Sequence, residues 1–165
     1  MANNLMQLDG FKELAAAMRE LSPRIAKNAL RAAVASGAGV VRDDAKARAP
    51  ESTAGEKSVS APPPGTLKRA IAIKRDKDSQ GNLAAKYSVF VRQARNGSVG
   101  QKGVKAYGRM DAYYAKFVEF GTSKMAAKPF LRPAFEARKE DAITAIGLKL
   151  DEYIQKTASE LADKR

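Results

Sequence analysis

Charged side chains are the residues of this 165-residue chain that could do chemistry, because it contains no histidine and no cysteine. Histidine is the usual general base near neutral pH, and both residue types are common zinc ligands. Two adjacent acidic pairs occur, Asp43–Asp44 and Glu140–Asp141. Neighbours on a helix point about 100° apart, so neither pair converges on one proton. With no glycine-rich phosphate loop and no nucleophile motif, we expect no catalysis, no cofactor and no metal site.

Basic residues dominate the charge of the chain and are concentrated in its middle. The net charge is +12, and residues 68–109 carry 11 Lys and Arg against 2 Asp and Glu. Such a segment suits phosphates or acidic protein surfaces. The glycine-rich stretch 93–111, most of which lies in this segment, is predicted to be a long loop, and a long loop without a pattern is usually functional or disordered. We expect four of its side chains to contact a partner or DNA: Arg95, Lys102, Lys105 and Arg109.

Two long helical patterns frame this basic middle. The first covers residues 23–48, with Ser22 as its N-cap and Ala49–Pro50 as its end. Its small residues at 36–39 predict close approach of another backbone, and the alternative is a break in the helix there. The second pattern covers residues 132–158. Its predicted apolar stripe is Phe135, Ala142, Ile146, Leu150 and Tyr153, with Ile143 and Ile154 beside it.

The segments between the helical patterns predict a small sheet. Residues 67–75 indicate a short turn that leads into a strand, and residues 86–92 alternate as a second strand, so the two form an antiparallel hairpin. The predicted fold is a single α+β domain over residues 1–165. A small antiparallel sheet packs against long α-helices, and two long exposed loops span 51–65 and 93–111. We expect no membrane segment and synthesis in the cytoplasm.

A compact motif at residues 113–136 is the most informative part of the sequence. Tyr114, Phe117 and Val118 recur at helical spacing, which predicts a short helix with one inward face. Gly121 is suited to end that helix, and Pro133 suits the first turn of the next. Glu119 and Arg132 are expected to be structural, each bonding backbone or an opposite charge near the turn at 121–122, since a buried charge persists only when it is paired.

This motif resembles the signature of the tail-completion, or head–tail joining, family of long-tailed bacteriophages. A helix ending in Ala49–Pro50 and the segment Gly65, Leu67, Lys68 also match that family. The resemblance implies that the motif residues are structural. They are Tyr114, Val118, Glu119, Phe120, Gly121, Thr122, Pro129, Phe130, Leu131, Arg132 and Pro133.

The resemblance also implies a function in the virion neck. Such proteins assemble as rings, and for this chain we expect a hexamer. Its expected partners are itself, neighbouring neck proteins, the tail terminator or tail tube, and DNA passing through the channel. It would be located in the virion after assembly in the host cytoplasm. Two alternatives stay open, namely a tail-terminator ring protein and a basic nucleic-acid-binding module.

Overall fold

The computed structural model describes residues 22–51, 64–76, 84–92 and 112–162, together with Lys12, Ala16 and Arg19. The predicted loop at 93–111 lies outside the described residues, and so does most of the predicted loop at 51–65. The four side chains of the loop at 93–111 that we expect to contact a partner or DNA therefore also lie outside the described residues. They are Arg95, Lys102, Lys105 and Arg109.

Helices dominate the described part of the chain. Two helices come first, two short strands follow, and two further helices end the described part. The elements are α1 (Pro23–Arg48), α2 (Thr66–Ala70), β1 (Ile71–Arg75), β2 (Tyr87–Val91), α3 (Ala115–Phe120) and α4 (Leu131–Ala162). The bounds of α1 are those predicted. Helix α4 begins one residue before the prediction and ends four residues after it. The predicted turn before β1 is one short helix, α2.

The strands β1 and β2 form a two-stranded antiparallel sheet. The Asp76 N–H donates to the Lys86 carbonyl at 3.0 Å, and the Arg92 N–H donates to the Ala70 carbonyl at 2.9 Å. These bonds bracket the hairpin and fix its register. Long helices with a small antiparallel sheet confirm the predicted α+β class.

The chain divides into two compact units. The first unit comprises residues 1–40, 75–88 and 140–165, and the second comprises 41–74 and 89–139. That the chain forms a single domain stays a prediction.

In the first unit, α1 and α4 are in close contact at Gly37. A Cβ atom added to Gly37 would lie 2.6 Å from Cγ1 of Ile146 and 2.8 Å from the carbonyl oxygen of Ala142. The glycine therefore lets the backbones approach, and α1 is continuous there, so the predicted close approach is confirmed and the alternative of a break is wrong. Buried Ala26, Ala29, Ala33 and Leu150 extend the same contact, with Ile146 and Tyr153 packed against them.

In the second unit, Phe130, Leu67 and Ile71 are the largest fully buried side chains. Val89 and Val91 of β2 both pack against this core, since the alternation predicted along the strand puts them on the same side. Alanines of both long helices complete it, at Ala45 and Ala134. The sheet is thus covered by helix on its apolar side.

Phe135 of the stripe predicted on the last helix and Ile143, which was predicted beside that stripe, are not in a core. Phe135 is 57% exposed and Ile143 is 45% exposed. Periodicity alone placed them beside Ala142 and Leu150, which are buried. The buried part of the helix is smaller than the apolar pattern, because burial also depends on whether a neighbouring element covers each position.

Candidate functional site

Helix α3 is held in the second unit by one face. Ala115 is buried, while Tyr114 and Val118 pack against the core. Burial raises the pKa of the Tyr114 hydroxyl, against the opposite effect of a hydrogen bond with the Leu67 backbone. The predicted inward face included Phe117, which is instead 45% exposed. The inward face is therefore centred on Ala115 and Val118, because Phe117 lies about 200° around the helix from Ala115 and so points away from the core.

Gly121 ends α3, as predicted. Its φ is +75°, a backbone conformation that L side chains rarely adopt, and its N–H donates to the Phe117 carbonyl at 2.8 Å. A Cβ atom at this position would also lie 2.9 Å from the backbone nitrogen of Ala127. Both conformation and space therefore require glycine here.

After Gly121 the chain turns back along α3. The Thr122 N–H donates to the Met125 carbonyl at 2.8 Å, and the return bond from the Met125 N–H measures 3.3 Å. The Lys128 N–H then donates to the Val118 carbonyl at 2.8 Å. These bonds return the backbone to the level of Val118, so the start of α4 comes within reach of the α3 side chains.

The carboxylate of Glu119 joins α3 to the start of α4. Its Oε2 accepts from the N–H groups of Phe130 at 2.8 Å and Leu131 at 3.1 Å, and its Oε1 accepts from the Arg132 N–H at 3.2 Å. The first N–H groups of a helix have no partner within it, and the positive end of the helix dipole favours a negative charge. Pro133 has no N–H, so Glu119 satisfies the donors that precede it.

The other residues of the predicted motif fall into a buried group and an exposed group. Phe130 is fully buried, and Leu131 and Pro133 are half-buried. The side chains of Phe120, Thr122, Pro129 and Arg132 are exposed. Arg132 meets Glu119 through its backbone N–H, while its guanidinium is on the surface. The motif therefore has a packed half and a surface half.

A comparison with protein families gives this arrangement a context. The sequence model of a family described as "Bacteriophage HK97-gp10, putative tail-component" matches residues 12–121. The chain belongs to the HK97-gp10-like family. The match includes α1, the sheet and α3 with Glu119, and it ends at the glycine that closes α3. Comparisons with curated proteins and with solved structures found no match.

Membership in the HK97-gp10-like family agrees with the resemblance read from the motif, which is to a phage tail and neck family. The part of the motif from Thr122 to Pro133 lies beyond the matched residues. Within the described residues, no group of three potential ligands could hold a metal ion. No helix that the structure describes is long and apolar enough to cross a bilayer.

Asp43 and Asp44, the first of the two adjacent acidic pairs in the sequence, accept hydrogen bonds from different arginines. Asp43 pairs with Arg42 at 2.7 Å, and this hydrogen bond lowers the pKa of Asp43. Asp44 instead accepts from Arg48 and, at 3.1 Å, from Arg138 of α4. The Asp44 carboxylate is 12% exposed, and the hydrogen bond from Arg48 holds its pKa below the ordinary value, with Arg138 adding to this. The two carboxylates thus act as separate structural groups.

Sequence reasoning missed two features of this HK97-gp10-like chain. One is the Asp44–Arg138 ion pair, whose members are 94 residues apart and have no local signal. The other is the outward face of α3, where Phe117 and Phe120 are exposed three residues apart, with the exposed Tyr113 in the turn before the helix. That spacing puts them on one face of a helix. It was present in the sequence, but one apolar face was expected rather than two.

Proposed function

We propose that this chain is a structural protein of the virion that completes the tail and joins it to the head, acting as a ring of identical copies. The observation that carries the proposal is the family match, which covers α1, the sheet and α3 of a family of phage tail components. The motif at 113–136 supports the finer assignment to tail completion through its resemblance to head–tail joining proteins.

The structure adds a physical argument that this protein is a rigid structural component. Glu119 ties α3 to the start of α4 through three charge-assisted hydrogen bonds, and such bonds are stronger than neutral ones. Asp44 ties the end of α1 to α4 in the same unit. Three helices linked in this way give a surface that keeps its shape, which a joint between two large assemblies needs.

The proposed partners follow from this role. They are further copies of the chain, with six as the expected number, neighbouring neck proteins, and the tail terminator or tail tube. Assembly would take place in the host cytoplasm and end in the virion. The basic residues of the predicted loop at 93–111 would contact an acidic partner surface or the DNA in the channel.

The test is tail joining in infected cells. A phage unable to make this protein should yield lysates with full heads and separate tails under the electron microscope. Adding the purified chain should restore joined particles and infectivity. Normal infectious particles made in its absence would contradict the proposal. The position of the protein in a reconstruction of the particle would separate tail completion from the tail-terminator alternative.

The loop charges have their own test. In one variant Arg95, Lys102, Lys105 and Arg109 are all replaced by serine. Its melting temperature should match that of the parent, while tail joining falls most at low salt, where charge contacts are least screened. Replacing the exposed Arg24 of α1 and Lys139 of α4 by serine is a control that removes charge elsewhere. Equal joining by the loop variant and the parent across a salt series would leave the loop charges without a role.

A further inference from the structure

Helix α3 carries apolar side chains on two faces. One of these faces packs against the core of the second unit. Ala115 and Val118 face the core of the second unit. Phe120 is 72% exposed and Phe117 is 45% exposed, three residues apart on the opposite face. Large aromatic side chains exposed together on a short, firmly held helix are typical of an interaction surface rather than of chance exposure.

The segment that carries this aromatic face is basic. Residues 112–132 contain four basic side chains and one acidic one, for a net charge of +3. All four basic side chains are exposed, and Lys116 lies four residues before Phe120 on the same face. The one acidic side chain is Glu119, whose oxygens are occupied by backbone N–H groups. A matching surface must therefore be apolar and acidic.

The chain itself carries a surface of that kind on α4. Leu148 is 68% exposed. On a helix its neighbours lie three, four and seven residues away, and the charged residues at those positions are Asp141, Asp151 and Glu152. Asp151 accepts from the neutral amide of Gln155 at 2.8 Å and so keeps its charge, while Glu152 pairs with Lys149. Leu148 thus has acidic neighbours, as Phe120 has a basic one.

We propose that the aromatic face of α3, formed by Phe117 and Phe120 with Lys116, docks on the Leu148–Asp151 face of α4 in a second copy of this chain. The two faces are different surfaces, so the contact is head-to-tail and continues from copy to copy, which closes into a ring when the rotation permits. The inference rests on the proposed self-assembly and names the surfaces that would make it.

The first experiment measures self-association of the purified full-length chain by sedimentation equilibrium over a concentration series. Phe117→Ser with Phe120→Ser should weaken association by about tenfold or more, as expected for aromatic anchors at an interface. The melting temperature should hold, because both side chains are exposed. Phe135→Ser, which alters an exposed aromatic of α4, is the matched control and should associate like the parent.

The second experiment identifies the occupant by a charge exchange. Lys116→Glu alone and Asp151→Lys alone should each weaken association, and the chain carrying both changes should regain most of it. The proposal would be overturned if the double phenylalanine variant associated as strongly as the parent. It would also be overturned if the chain carrying both charge changes associated no better than the single variants.

A third outcome separates this inference from the proposed function. If the parent stays monomeric at all concentrations while the phenylalanine variant fails in tail joining, the occupant is another tail protein. The second-copy inference is then overturned, and the role in tail joining is retained. If the parental chain does not restore tail joining to phage that lack this protein, the proposed function itself is overturned.

Discussion

Gly37 of α1 lies so close to Ile146 of α4 that a Cβ atom on Gly37 would be 2.6 Å from Cγ1 of Ile146. The carbonyl oxygen of Ala142 would be 2.8 Å away, and backbone cannot swing aside as a side chain can. A glycine within a helix costs about 1 kcal/mol relative to alanine. At this position the cost is offset by the packing of two helices at short distance.

The first prediction is that Gly37→Ala destabilises the fold, although alanine is the better helix former. Overpacking of a tight contact costs roughly 1–3 kcal/mol, which exceeds the gain in helix propensity. Urea denaturation measures the difference in the free energy of unfolding. Gly39→Ala is the matched control, since Gly39 is about 200° around the helix from Gly37. It should be neutral or stabilising, and equal stability of both variants would refute the argument.

The second prediction concerns the helix cap made by Glu119. Glu119→Ala should lower the free energy of unfolding by about 2–4 kcal/mol, since it leaves the N–H groups of Phe130, Leu131 and Arg132 without their acceptor. Glu119→Gln should lose less, because an amide keeps one acceptor oxygen. Faster hydrogen exchange at those three amides would locate the effect.

Glu136→Ala is the control for that series, since it removes an exposed carboxylate from the first turns of the same helix. Its stability should stay within about 0.5 kcal/mol of the parent. An unchanged melting curve for Glu119→Ala combined with lost tail joining would instead make Glu119 an interface residue.

The third prediction is a pH dependence carried by Asp44. The hydrogen bond from Arg48 lowers the pKa of this carboxyl in the folded state, and Arg138 lowers it further. A lowered folded pKa adds stability above the unfolded value of about 3.9, and that stability is lost as the pH falls through the folded pKa. Denaturation from pH 7 to pH 2 should show the loss, and Asp44→Asn should flatten the curve.

Asp43→Asn tests whether the slope belongs to Asp44. Asp43 pairs with its neighbour Arg42 at the surface, where an ion pair contributes little. The Asp43→Asn variant should therefore keep most of the parental slope. If both variants flatten the curve equally, the Asp44 link between α1 and α4 is not the source.

The fourth prediction compares two glycines with the same φ. Gly121 has φ +75° and Gly65 has φ +74°. An added Cβ at Gly121 would lie 2.9 Å from the Ala127 nitrogen, whereas the nearest atom at Gly65 is the end of the Arg69 side chain at 3.7 Å. Gly65→Ala should cost about 1 kcal/mol of backbone strain, and Gly121→Ala should cost about 3 kcal/mol or more. The ψ angles also differ, at 4° for Gly65 and 179° for Gly121, and the second conformation is essentially restricted to glycine. Equal losses in thermal denaturation would contradict both the crowding and this backbone constraint at Gly121.

Features with local causes could be predicted from the sequence by itself. The bounds of α1 follow from Ser22 before Pro23 and from Pro50 after the last turn, because capping and proline act on adjacent residues. The hairpin and the end of α3 at Gly121 are local in the same sense. The family resemblance rested on such short-range patterns, which is why the motif was sufficient to indicate it.

The tertiary structure decided which side chains meet over long separations. Glu119 and Phe130 are 11 residues apart, and Asp44 and Arg138 are 94 apart. Periodicity gives the face of a helix but not how much of that face is covered. Phe117, Phe135 and Ile143 fit apolar patterns and are exposed nonetheless. Burial depends on whether a neighbouring element covers a position, and the periodicity within one helix does not carry that information.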